Sequence, residues 1–310
     1  MDLVLHHYDD SSFSEKVRLA LGLKNLEWYS VQIPAYGPKP DYTPLTAGYR
    51  RTPALQIGAD VYCDTRLIAA ELERRWPTPS LHPGMPHAWA RAQTEILSAW
   101  AEHQLFRPLA LYVTGLHAAR LPAAFHLDRA ELHGKPPPSL AQVAAAARHQ
   151  PAQFEPQLAW LEGLLCNGQD FVLGAAPGLV DFALYQGPWF LERIGGASAA
   201  LDARPRLRAW MARVAALGHG RPRPLAAAEA LALAAAARPA PLPSPGDYVG
   251  AEGYVLGDEV EVCPLDQRAP ARGTLAWLDA ERIVLNVESS ALGALAVHFP
   301  RLGYRLSRAR

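Results

Sequence analysis

The spacing of apolar positions changes twice along the 310-residue chain. In the first stretch, Leu3 to His7 is a short apolar run and predicts a strand. Val17, Leu19 to Leu21 and Leu23 then form the buried side of a helix over about Phe13 to Leu23, with Glu15, Lys16 and Arg18 turned outward or toward a partner. Leu26 to Ile33, with Trp28, Tyr29 and Val31, predicts a second strand. Pro53 opens a third apolar run, Gly58-Ala-Asp60 turns it, Val61 to Cys63 makes a fourth, and Asp64-Thr65 precedes a helical pattern. Strand, helix, strand, irregular segment, hairpin, helix is a thioredoxin-like α/β order, and Pro53 stands where that fold carries a cis-proline.

The proline-rich segment from Thr78 to Pro86 predicts a linker, after which the period becomes helical. Ala88 to Tyr112 predicts one long helix with Trp89, Ile96, Leu97, Trp100, Leu105 and Phe106, bent or broken near Pro108. Leu121 to Pro138 is expected to be irregular. Helical spacing resumes over Ser139 to Leu165, interrupted at Pro151 and Pro156, and again over Arg204 to Leu217 and Leu225 to Ala237. Arg238 to Gly246 is a stiff proline-rich linker. Beyond it the period becomes two: Val260 and Val262, Leu275 and Trp277, Ile283, Leu285 and Val287, then Leu295, Val297 and Phe299 alternate with their neighbours. Four or five short strands in so short a stretch suggest a small all-β SH3-like barrel. The expected units are therefore 1–80, an α/β thioredoxin-like domain; 87–238, an all-α domain; and 247–310, the β-module.

Apolar residues make up 50% and charged residues 19%, a globular composition. Thirty basic residues balance thirty acidic ones, so no overall field favours nucleic acid or an acidic membrane. Cys63, Cys166 and Cys263 are odd in number and far apart, which fits a reducing cytoplasm. The start, Met-Asp-Leu-Val-Leu-His-His, has no signal-peptide pattern, and the alanine-rich tract from Leu225 to Ala237 is too short to span a membrane. No His-x-x-x-His, Cys-x-x-Cys or glycine-rich phosphate motif occurs, so neither a metal nor a nucleotide is expected; His6 and His7 are expected to pack or be solvated.

Two helix starts carry the candidate chemistry. Asp64 is a good N-cap, and the N–H groups behind it face a possible anion site. Ser11-Ser12-Phe13-Ser14-Glu15-Lys16-Val17-Arg18 opens the first helix, whose dipole favours a thiolate. Either serine or aspartate also has the ordinary reading of a cap alone.

Thr-Pro-Ala-Leu from Thr52, Gly58-Ala59, and Asp64-Thr65-Arg-Leu-Ile resemble the glutathione-binding half-site of cytosolic glutathione transferases. The stretch from Ser11 resembles the Ser-Ser-x-Ser-x-Arg-Val-Arg start of zeta-class members and the Cys-Pro-Phe-x-Glu-Arg start of omega-class ones. Phe171-Val-Leu-Gly174, Pro177 and Asp181 resemble the family's folding motif, with Gly178 in place of the usual Ser or Thr cap. The likeness spans roughly Met1 to Ala237 and leaves out the β-module.

That resemblance implies a glutathione transferase that activates the thiolate of its substrate glutathione toward a small electrophile, Ser11 donating to sulfur. Ser12 and Ser14 remain alternatives to Ser11. Asp64 would take the γ-glutamyl ammonium and Thr65 its carboxylate, while the backbone of Thr52 before Pro53 would pair with the cysteinyl part. Arg51, or Arg50 beside it, would hold the glycyl carboxylate or lie free at the surface. Trp100, His103, Phe106, Arg107 and Tyr112 would line a second-substrate pocket, or pack as core. A cytoplasmic homodimer is implied. The alternatives are a non-catalytic binding protein whose β-module recruits a protein partner, and a glutathione-dependent isomerase or peroxidase.

Overall fold

The computed structural model describes residues 2–84, 87–196, 199–244 and 253–309. The end of the expected 238–246 linker and the start of the 247–310 unit lie outside the described residues. β1 (Leu3–His7), α1 (Ser12–Leu23), β2 (Glu27–Gln32), β3 (Ala54–Ile57), β4 (Asp60–Cys63) and α2 (Thr65–Arg75) follow the thioredoxin-like order. β1 is parallel to β2 and antiparallel to β3, and β3 is antiparallel to β4. Both faces of this sheet are covered, which is why its strands read as nearly unbroken apolar runs. Leu3, Leu5, Leu55 and Ile57 face the helices, whereas Val4, Ala54, Val61 and Cys63 face a second core. The Thr52–Pro53 bond is cis.

The helical part differs from expectation at its prolines. The long helix is α3 (His87–Trp100), a π-turn over Ala101–Leu105, and α4 (Phe106–Leu116). Pro108 does not break it. Lacking an N–H, Pro108 leaves the Gln104 carbonyl without its helical donor, and the Gln157 side-chain amide fills that place at 3.2 Å. The segment expected to be irregular contains α5 (Ala123–Leu132). Its inward side carries His126 and Asp128, which hide the apolar period; His126 bonds the Ala118 carbonyl and Asp128 holds Arg50. α6 (Leu140–Ala147) and α7 (Pro151–Leu164) follow, with Pro151 starting α7 and Pro156 held inside it.

α8 (Leu179–Arg193) is the central helix. Asp181 accepts from the Gly178 and Val172 amides and from the Trp210 indole, at 2.9 to 3.0 Å. Glycine caps this helix for a steric reason: a Cβ at residue 178 would lie 2.5 Å from Pro83 Cδ. α9 (Ala199–Asp202) and α10 (Pro205–Ala215) complete the bundle. An unanticipated edge strand, β5 (Arg221–Pro224), then pairs with β2, and α11 (Ala227–Ala235) packs on the second core. Its two prolines are tolerated because the strand is at an edge.

The C-terminal strands do not form an SH3-like barrel. β6 (Glu259–Pro264), β7 (Ala271–Leu278), β8 (Arg282–Ser289), β9 (Gly293–Pro300) and β10 (Tyr304–Arg308) are ordered β10-β6-β7-β8-β9, and β9 continues in parallel onto β4. The result is one open ten-stranded sheet. Closure is replaced by edge addition: β4 would otherwise expose unpaired backbone groups, and β9 satisfies them. Asp60 secures the joint, accepting from His298 Nε2 and from the Ala240 amide at 2.8 Å each, while Tyr62 stacks on His298 at 4.4 Å. Val260, Leu285, Val297 and Phe299 share the second core with Val4, Val61, Tyr42 and Tyr49. No helix among the described residues is long and apolar enough to cross a membrane.

Candidate functional site

Ser11 ends the loop after β1 and is the N-cap of α1. Its φ of −80° and ψ of 114° are extended, and its Oγ accepts from the Ser14 amide at 3.2 Å. That bond uses a lone pair and leaves the hydroxyl proton free, so capping and donation to a sulfur are compatible. Ser12 and Ser14 are more deeply buried, Ser14 completely. Two acidic neighbours are already engaged. Asp10 pairs with Arg193 at 2.9 Å and Asp9 accepts from Gln32 at 3.0 Å.

The second helix start stands across from the first. Asp64 caps α2 with φ +76°, a conformation costly for a residue with a Cβ, and its Oδ1 accepts from the Arg66 amide at 2.9 Å. Thr65 is buried, and its Oγ1 accepts from Lys16 Nζ at 3.2 Å. Lys16 also pairs with Glu102 on the π-turn at 2.5 Å. Expected from the sequence to face outward or toward a partner, this cation is buried, as are Glu15 and Arg18 beside it; it stands behind Thr65 and leaves that hydroxyl's proton free. One signal was available: Lys16 occupies the Arg position of the Ser-Ser-x-Ser-x-Arg-Val-Arg pattern.

The Thr52 end is rich in ions. Lys39 Nζ donates to Thr52 Oγ1 at 2.9 Å and to the Arg50 carbonyl at 3.2 Å. Burial, reinforced by the Arg129 charge, lowers the Lys39 ammonium to about 8. Arg50 pairs with Asp128 of α5, and Arg51 pairs with Asp266 in the turn after β6. Burial opposes the Arg51 charge, but its ion-pair partner Asp266 favours it, and the guanidinium stays well above its ordinary range. Neither arginine is a free surface cation. Cys63, next to Asp64, is fully buried, and burial pushes its thiol well above the usual range, so it offers no competing thiolate.

Of the second-substrate candidates, Phe106 reaches this region, its ring 5.1 Å from that of Phe13. Trp100 leans on Trp160, Tyr112 packs edge-on against Phe154, and His103 and Arg107 are exposed. His6 and His7 are packed as expected: His6 bonds Gln56 and His7 bonds Ser30, both at 2.8 Å, and burial lowers each imidazole to about 4. A cleft of about 250 Å³ lined by His7, Arg18, Trp28, Trp189 and His219 excludes Ser11 and Asp64. Its charges are mutually satisfied through the Glu15–Arg18 and Glu15–His219 pairs. Among the described residues no cluster of three metal-ligating side chains occurs.

Residues 5–80 match the profile of the glutathione S-transferase N-terminal domain and residues 126–213 that of its C-terminal domain. Maleylacetoacetate isomerase of Pseudomonas aeruginosa is 30% identical over 70% of this chain and 92% of its own. A GST-like protein from Pseudomonas syringae is 36% identical with a TM-score of 0.78 over 99% of both chains, so its likeness extends through the C-terminal strands. A glutathione S-transferase from Rhodospirillum rubrum, 20% identical with a TM-score of 0.54, covers 69% of this chain and 87% of its own and shares the fold. Matching profiles at both ends of the transferase unit, and a relative that is similar over nearly all of its own length, show that the chain belongs to the glutathione S-transferase family.

Proposed function

We propose that the chain binds glutathione between the starts of α1 and α2 and uses its thiolate as a nucleophile. The observation that carries this reading is the pair of hydroxyls at those two helix starts. Ser11 and Thr65 each accept a bond from inside the protein and so keep a proton for a ligand. Ser11 donates to the sulfur; Thr65, with the Lys16 charge behind it, donates to the γ-glutamyl carboxylate; Asp64 takes the ammonium. Lys39 and Arg51 supply positive charge for the glycyl carboxylate near Thr52. A thiol lowered by about two units from 8.5 requires about 2.7 kcal/mol, within reach of one hydroxyl plus a helix dipole. The Asp10–Arg193 pair reduces the opposing acidic field.

In a transferase reaction the sulfur forms a bond to an electrophilic carbon as the leaving group departs with its electron pair. The likeness to an isomerase favours a second reading of the same site. There the thiolate adds to a conjugated double bond, the new single bond rotates, and elimination returns glutathione. Phe13 and Phe106 form an apolar wall for either acceptor. A homodimer accords with the exposed side chains of Trp89 and Ile96, seven positions apart on one face of α3. Retention on immobilised glutathione, followed by assays with an aryl halide and with a cis-configured conjugated diacid, tests the proposal. Retention with turnover of either acceptor supports it; retention without turnover identifies a binding protein, and absence of retention refutes glutathione recognition.

A further inference from the structure

The C-terminal strands reach the candidate glutathione site through one side chain. Tyr304, at the start of β10, donates its hydroxyl to Asp64 Oδ2 at 2.9 Å. Its oxygen lies 2.8 Å from the hydroxyl of Tyr49. Because the Tyr304 proton is directed at Asp64, Tyr49 must be the donor in the second bond, giving a chain from Tyr49 through Tyr304 to the carboxylate. Tyr49 is 1% and Tyr304 6% exposed, whereas Asp64 remains partly open to solvent. The hydroxyl thus approaches the carboxylate from the protein side and leaves its outer side to a ligand. Burial raises both phenols well above their ordinary value, so they remain protonated donors.

We propose that Tyr304 is a positioning residue for ligand recognition, through which the C-terminal strands hold the Asp64 carboxylate in line for the glutathione ammonium. The inference rests on the glutathione-binding reading above. Asp64 needs such support because its backbone sits at φ +76° and, among the described residues, its carboxylate accepts one other hydrogen bond, from the Arg66 amide. Tyr304 in turn is fixed by strand pairing with Pro264 and by ring contacts with Tyr49 and Phe299. A hydroxyl so held orients a carboxylate without moving when the ligand arrives. Part of the ligand site then comes from outside the region that matches the family profiles, which ends at residue 213.

Titration calorimetry on the full chain tests this with two ligands, glutathione and an analogue lacking the glutamyl α-amino group. Tyr304→Phe keeps the ring and removes the hydroxyl. It is expected to weaken glutathione binding by about tenfold, as for loss of a hydrogen bond to a charged group, and to leave the analogue's affinity unchanged. Tyr49→Phe, which removes only the outer donor, is expected to show the same selective loss in smaller measure and serves if Tyr304→Phe does not fold. Equal weakening of both ligands marks a general packing effect and overturns the proposal. So does unchanged binding; tighter glutathione binding shows that the hydroxyl occupies the ammonium's place instead. Glutathione that fails to bind the wild type removes the parent reading and this inference together, whereas wild-type binding with an indifferent Tyr304→Phe removes this inference alone.

Discussion

Replacing Ser11 separates its capping of α1 from its proposed donation to the glutathione sulfur, since one uses the lone pair and the other the proton. Ser11→Ala deletes the acceptor that caps α1 through Ser14 N at 3.2 Å. Loss of such a cap costs about 1 kcal/mol, and over a chain of this length each kcal/mol corresponds to a fall in Tm of about 1–2 °C. It also deletes the proton offered to the thiolate, a charge-assisted bond of about 1.5–3 kcal/mol, so turnover drops roughly 10- to 150-fold with a modest change in glutathione affinity. Ser11→Asp distinguishes the effects. Aspartate caps a helix as well as serine, so melting stays near wild type; but it has no proton and adds negative charge beside the sulfur. The expected result is a stable protein whose bound thiol has a higher pKa, followed by thiolate absorbance, and whose turnover is at least as low as that of Ser11→Ala. An active Ser11→Asp with an unshifted thiol would refute the assignment. A Ser11→Ala whose activity declines only in proportion to unfolding would reduce Ser11 to a cap.

Lys39 should make ligand affinity depend on pH. Its ammonium, lowered to about 8, is charged below that value and neutral above it, so S-methylglutathione, which has no thiol to titrate, should lose about three- to tenfold more affinity between pH 7 and pH 9 with the wild type than with Lys39→Met, whose own loss measures titration of the ligand's ammonium. Lys39→Met should bind weakly at both pH values; an unchanged pH profile excludes Lys39 from the site. Asp60→Ala strands the buried His298 donor and removes the partner of the Ala240 amide, and should destabilise the whole chain by about 1–3 kcal/mol in urea unfolding, in one transition. Two transitions, the C-terminal strands melting first, would show that the continuous sheet does not couple its halves. Light scattering at micromolar concentration should give the mass of two chains, and Trp89→Asp together with Ile96→Asp should return it to one; a wild-type monomer contradicts the dimer.

Local chemistry determined a large part of this protein. The extended cap at Ser11, the cap at Asp64, the hairpin turn at Gly58 and the Asp181 capping box all act within a few residues, so a short window of sequence contains both partners of each interaction. For the same reason the order of elements through α2 was legible. Wherever the deciding partner lies far along the chain, tertiary structure alone settled the outcome. The alternation in the last strands shows that a sheet forms, but not that its edge adds to β4, a joint made by Asp60 and His298, 238 positions apart. Pro108 looks like a helix break until Gln157 supplies the donor it lacks. α5 is hidden because its buried side carries the polar His126 and Asp128, the latter held by Arg50 and the Gly37 amide far along the chain, and β5 is hidden because an exposed Arg-Pro-Arg-Pro strand has no apolar period at all. At the candidate site the hydroxyls and the carboxylate stand out in the sequence, while the charges around them come from the fold. Lys16 acquires its place from Thr65 and Glu102, and Asp64 meets Tyr304 only because a ten-stranded sheet brings β10 back to α2.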